Sequence, residues 1–323
     1  MNKETHIYQH YIPECYLKNF TLDNKSIFVY RKNNNGKIFS KSISNIAGKK
    51  RLYDVDERFL LEEFKGKNKF IEIEIFANCF EPILSKLLEK LKKLRQNLDK
   101  NKIQNNVLNK IERDYFAELI AVQYIRHPNF IENYWNFYKN MYLKRNDIIS
   151  SFFTKINPKS EPNNRFPFEF DERYSSALHS KFILDEDWRR DIQNQLARKI
   201  WIFYYTDNVV LTSDNPILLK PHIKASIPFY EGFGQKGVEI IFPINKNIIL
   251  SIIDEEYFHD KKHLDNTIQS LNDKKLREYN LYQYFFSNFE IYSSSNNFEI
   301  VSKFLKMNNG EDFFSQRKKI QVY

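Results

Sequence analysis

The chain has 323 residues and a formal charge of +9, with 42% hydrophobic and 16% aromatic side chains and few glycines. That length and composition can bury a sizeable core, which excludes a disordered protein and a peptide-like module. No stretch approaches the roughly 18 uninterrupted apolar residues of a membrane helix, and the first residues lead into no signal-peptide apolar region, so a cytoplasmic location without a membrane partner is expected.

Cys15 and Cys79 have neither metal-ligand spacing nor the density of a disulfide framework, and both are expected as buried thiols. Net positive charge suits an anionic partner, with nucleic acid the first candidate. Lys and Asn are spread along the whole chain, however, so the basicity is not concentrated in one segment.

In chain order, Ile27–Tyr30 and Lys37–Ser40 flank Asn33-Asn34-Asn35-Gly36, which predicts a β-hairpin over 27–43. A turn at Ala47-Gly48 follows. Apolar residues then recur at helical spacing from Asp56 to Arg95, predicting two helices broken near Gly66. A solvated Lys/Asn/Gln-rich connection leads into a helix from about Asn105 to Arg126, which His127-Pro128 ends because proline cannot continue the backbone ladder. An aromatic helix is expected over 130–145, an exposed loop over 157–167 and a helix over 185–198. Trp201–Tyr205 and Val209–Leu211 read as a second hairpin, Val238–Phe242 and Ile248–Ile253 as further strands, 262–284 as a helix and Ile291-Tyr292 as a last strand. Strands do not alternate regularly with helices, so the expected class is α+β: a helical middle region packed with β-hairpins from the N-terminal and C-terminal parts. One integrated domain over 1–323 is the simplest partition, with an alternative boundary in the loop 157–167.

Four segments hold residue types that could carry chemistry. His10 precedes a proline-anchored aromatic turn, Tyr11-Ile12-Pro13, which could hold a general base rigidly. Glu74 and Glu81 are seven apart, close to two α-helical turns, and on an α-helix would share a face as carboxylate metal ligands. Gln123 and Arg126 are three apart and neighbours on one helix face, where arginine can fork onto a phosphate or a carboxylate. Thr212-Ser213-Asp214-Asn215-Pro216 follows a hydrophobic strand, placing the oxygens of Ser213, Asp214 and Asn215 at a sheet edge. Each also has a structural reading, as a hydrogen-bonded histidine, solvated carboxylates, a helix-terminal arginine and an Asx turn. There is no phosphate-binding glycine loop, nucleophile elbow or zinc-type cluster.

Taken in order, His10-Tyr11-Ile12-Pro13 with Tyr16-Leu17 and Phe20, the Glu74 and Glu81 pair, Gln123 to Arg126 with Pro128, Thr212 to Pro216, and Phe242-Pro243-Ile244 resemble the bacterial domain-of-unknown-function family 4238. The resemblance covers roughly residues 6 to 250. It implies a shared fold and a shared polar site, in a setting of bacterial accessory genes where defence and toxin functions are common.

Two functions fit these parts. In one, Asp214, Glu74 and Glu81 hold a divalent cation (Mg²⁺ or Mn²⁺), His10 activates water, and Arg126 with Gln123 stabilises a phosphorane, making a metal-dependent nuclease on DNA or RNA, a defence or toxin effector. In the other, the same residues form a recognition pocket for a nucleotide or protein partner, or a structural network.

Overall fold

In the computed structural model, which describes residues 8–32, 36–60, 65–67, 69–96, 104–156, 172–223 and 232–307, the chain opens with β1 (Tyr8–His10) and a one-turn helix α1 (Glu14–Leu17). The hairpin β2 (Ser26–Arg31) and β3 (Lys37–Ser42) forms as its alternation predicts, with Ser26 opposite Ser42 and Arg31 opposite Lys37. β4 (Gly48–Lys50) then returns antiparallel to β1, setting Gly48 opposite His10.

The helical middle starts as a π-helical segment, Ile71–Phe80, that runs into α2 (Glu81–Gln96). Of the helix expected before Gly66, only a 3₁₀ turn at Glu57–Phe59 lies within the described residues. After β5 (Gln104–Asn105) comes α3 (Lys110–Ile125), begun by a capping box in which Asn109 accepts the Glu112 amide and Glu112 accepts the Asn109 amide. Then follow α4 (Pro128–Ile156), α5 (Glu172–Leu184) and α6 (Glu186–Ala197), capped by Asp185 on the Trp188 amide. The loop expected over 157–167 lies outside the described residues. No described helix is long and apolar enough to cross a membrane.

The third part is mainly β: β6 (Ile200–Tyr205), β7 (Thr212–Ser213), β8 (Leu218–Pro221), β9 (Val238–Asn245), β10 (Ile248–Ile253) and β11 (Thr267–Ser270), then α7 (Asp273–Phe286), β12 (Glu290–Ser293) and α8 (Glu299–Met307). Six strands form one sheet in the order β5-β11-β6-β10-β9-β8, and four form another, β3-β2-β12-β7. The class is α+β.

Two expected elements differ. The second hairpin does not form: β6 pairs with β10 and, in parallel, with β11, while Thr212-Ser213 crosses to β12 in the four-stranded sheet. Asn208 instead turns on the Thr206 hydroxyl, and Val210 is tied by its amide to Lys246, so the chain leaves the first sheet there. The helix expected over 262–284 begins only at Asp273, capped by Asn272. Before it, Thr267 and Ile268 are buried as a strand between β6 and β5, because burial in a sheet outweighs a short helical pattern.

α3 is the central helix. Phe116, fully buried, meets Trp201 of β6 at 5.9 Å and Phe242 of β9 at 6.3 Å between ring centroids. Every residue of β9 and β10 is buried, so these strands read as apolar runs without alternation. Cys15 is half-buried and Cys79, expected to be buried, is exposed on the outer face of the π-helical segment.

Candidate functional site

The last turn of α3 reaches back to β1. Arg126, 2% exposed, donates from one terminal nitrogen to the His10 carbonyl and from the other to Glu81 Oε1 at 3.1 Å, and Gln123 donates to the Tyr11 carbonyl at 2.8 Å. The three-residue spacing of Gln123 and Arg126 therefore pins two successive carbonyls at the end of β1, which fixes the backbone that carries His10. The guanidinium lies over the Phe76 ring at 3.8 Å, and the backbone carbonyl of Arg126 accepts from the Tyr53 hydroxyl at 2.6 Å. Tyr53 is held in turn by Gln9, whose Oε1 accepts the Tyr53 amide and whose Nε2 donates to Asp54, each at 2.6 Å.

The expected glutamate pair does not share a face. Bonding from residue i to i+5 widens the turn, so seven residues do not close two turns across Ile71–Phe80. Glu74 is exposed and accepts from Asn78 at 3.1 Å, whereas Glu72, Phe76 and Glu81, spaced four and five apart, gather on Arg126. Glu72 was hidden from sequence reading because its position depends on the helix type.

Three buried polar atoms at this hub, His10 Nε2, Glu72 Oε2 and Arg126 Nε, have no hydrogen-bond partner among the described residues. Such orphans are rare enough that each calls for a ligand, a water or a chemical role. Burial lifts the Glu72 carboxyl to about 7; Arg126 pulls against that, and Glu81 and Asp54 add to it. Burial also lowers the His10 imidazole below its ordinary value, opposed by Glu14, whose Oε1 lies 3.8 Å from Nε2. Burial pushes the Cys15 thiol up to about 12, so it is not a thiolate nucleophile near neutrality.

Asp214 sits in a second cluster. It is 1% exposed: Oδ1 accepts the Asn288 amide at 2.7 Å, and Oδ2 accepts the amides of Phe289 at 2.7 Å and Glu290 at 3.0 Å. Burial raises its carboxyl to about 6 against the pull of those amides. Ser213 Oγ donates to Gln283 Oε1 at 2.7 Å, and Asn215 Nδ2 donates to the Phe286 carbonyl at 3.0 Å, so all three polar residues clamp β7 onto α7 and β12. His127 joins the two clusters. Its Nδ1 accepts the Asn129 amide at 3.1 Å, which leaves the proton on Nε2 to donate to the Asp214 carbonyl at 2.5 Å.

His10, Gln123, Arg126 and Glu81 thus come together, with Asp214, Ser213 and Asn215 one residue-layer away through His127, and Glu74 stands apart. Among the described residues no group of three or more His, Cys, Asp or Glu side chains is placed to hold a metal ion.

Beside His10 lies a basic edge. Lys49 and Lys50 of β4 stand opposite Gln9 and Tyr8, Arg51 follows, and all three are exposed. A further polar network that sequence reading missed centres on Glu239, buried in β9, whose carboxylate takes Ser251 at 2.6 Å, His222 at 2.8 Å and the Tyr279 hydroxyl. Burial pushes this carboxyl up, but the His222, Ser251 and Tyr279 hydrogen bonds and the Lys275 charge outweigh it and hold it at about 2. Its signal was a lone carboxylate inside the apolar run Val238–Ile244.

No curated protein and no solved structure matches the chain. One family model matches it over residues 8–297, a span that holds the strand of His10, the π-helical glutamates, the end of α3 and the Asp214 turn. The chain belongs to the family described as Protein of unknown function (DUF4238).

Proposed function

We propose that the protein is a nuclease whose chemistry is carried by His10 as general base and Glu72 as general acid. The observation that carries this reading is the set of three orphaned buried atoms around Arg126, two of them on groups whose acidities are displaced in opposite directions. Near neutrality His10 is neutral and able to take a proton from the attacking oxygen, while Glu72 keeps enough of its own to protonate the departing oxygen of a phosphodiester. Lys49 and Lys50, on the strand paired with that of His10, and Arg51 just after it are the exposed cations that would contact the phosphate backbone in this reading. Arg126 is a positioning residue, since it is buried and acts through the His10 carbonyl and Glu81.

Cleavage of DNA and RNA panels, measured with Mg²⁺, with Mn²⁺ and with chelator, tests the reading. His10→Ala should lower the rate by about 100-fold or more, the range of general acid–base catalysis. Activity should persist in chelator and peak in a narrow band between the lowered His10 value and about 7 for Glu72. An absolute requirement for Mg²⁺ or Mn²⁺ would overturn the metal-free chemistry of His10 and Glu72.

A second reading rests on the 2% exposure of Arg126 and its seat on Phe76. In it the hub is a recognition network for a nucleotide or protein partner. No cleavage under any condition, with nucleic-acid binding still dependent on Lys49, Lys50 and Arg51, would favour it.

A further inference from the structure

The opposite end of α3 carries a different constellation. A cavity of about 820 Å³ opens where the start of α3, the end of α6, the start of β6 and residues 255–266 meet. Thirteen residues of helix separate Arg113 from Arg126, so the cavity lies about 20 Å along the axis from the hub described above.

Five cationic side chains line this cavity, Lys110, Arg113, Arg198, Lys199 and Lys262, against three carboxylates. Lys262 is paired with Glu255, and Arg113 with Asp265 at 2.8 Å and the Lys199 carbonyl, its flat face over Trp201 at 5.3 Å. Arg113 Nε is buried without an acceptor among the described residues. Lys110 and Arg198 are exposed and have no ion pair among those residues. Lys199 is 7% exposed, and its ammonium meets only Asp254, at 3.9 Å, with no hydrogen bond among the described residues. The Lys199 ammonium therefore keeps hydrogen-bonding capacity for a further acceptor in the cavity. Lys110 also opens α3, so the positive end of that helix dipole lies at the same mouth.

We propose that this cavity binds a nucleotide, its phosphates held between Lys110, Arg198 and Lys199. The volume falls within the range of roughly 300–1,000 Å³ typical of small-ligand sites. Asp114, Glu255 and Asp265 in the wall oppose a continuous phosphate backbone but can accept hydrogen bonds from ribose hydroxyls and base amino groups. The site stands whether or not the His10 centre is catalytic.

Calorimetric titration of the full chain with ADP, ATP, AMP and inorganic pyrophosphate at low salt tests it. ADP or ATP should bind at least tenfold more tightly than pyrophosphate. The Lys110→Ala/Arg198→Ala double variant, altered only at exposed positions and expected to melt at the wild-type temperature, should bind at least tenfold more weakly. His10→Ala should bind nucleotide as the wild type does. The proposal is overturned if no nucleotide binds, if pyrophosphate binds as tightly as ADP, or if the double variant binds unchanged. It is also overturned if a DNA or RNA oligonucleotide, and no mononucleotide, depends on Lys110 and Arg198.

Discussion

His127 and His179 are both buried, and each spends Nε2 on a backbone carbonyl, that of Asp214 and of Ile125 respectively. Burial lowers both to about 4. The unfolded imidazoles take up protons as pH falls below about 6.5 while the folded ones stay neutral, so their contribution, about 3 kcal/mol each, is present above 6.5 and lost toward 4. Glu72 and Asp214 act with the opposite sign. Their folded values, about 7 and about 6, exceed the unfolded ones, so their contribution is present at low pH and lost as pH rises. Urea unfolding should therefore vary little between pH 6.5 and 4.5 in the wild type, whereas a His127→Gln/His179→Gln variant should gain stability steadily as pH falls. A flat profile in that variant would show that the two carboxyls are not raised, and a wild type that gains as steeply as the variant would show that the imidazoles are not held neutral. At Asp214 three backbone amides depend on one carboxylate, and Asp214→Ala strands them in the interior. The expected loss is on the order of 3 kcal/mol or more, read as a lower urea midpoint at unchanged slope.

At the scale of elements, α3 does most to bring the site together. One end holds β1 through Gln123 and Arg126, and its middle rests Phe116 on two strands of the six-stranded sheet. Phe116→Ala should cost about 3–5 kcal/mol, the range for deleting a buried aromatic ring, and thermal unfolding measures it. If the loss stays under about 1 kcal/mol, α3 is not packed on that sheet. The hairpin β2-β3 was legible because its strands lie next to each other in the chain and carry their own turn residues. β11 was not, since Thr267 and Ile268 form a strand only where β6 and β5 supply the partners Ile202, Phe203, Asn105 and Gln104 from distant parts of the chain. The π-helical register of Ile71–Phe80 was equally hidden, and with it Glu72.

For the whole molecule, a formal charge of +9 says only that an anion is a suitable partner. In the proposed reading its place is the exposed edge formed by Lys49, Lys50 and Arg51 beside the strand of His10. Replacing the three by Ala should weaken nucleic-acid binding and reduce the slope of log K against log salt by about 1 for each lost phosphate contact. A slope unchanged in the triple variant would place the contact elsewhere.

The sequence by itself determined the α+β class, the family and the end of α3 at His127-Pro128, because local spacing and turn chemistry act over a few residues. Tertiary structure decided that Gln123, Arg126 and Glu81 meet beside His10, which carboxylate faces Arg126, and that Asp214 serves backbone amides. Those outcomes depend on burial and on partners brought together from distant parts of the chain, which no local pattern encodes.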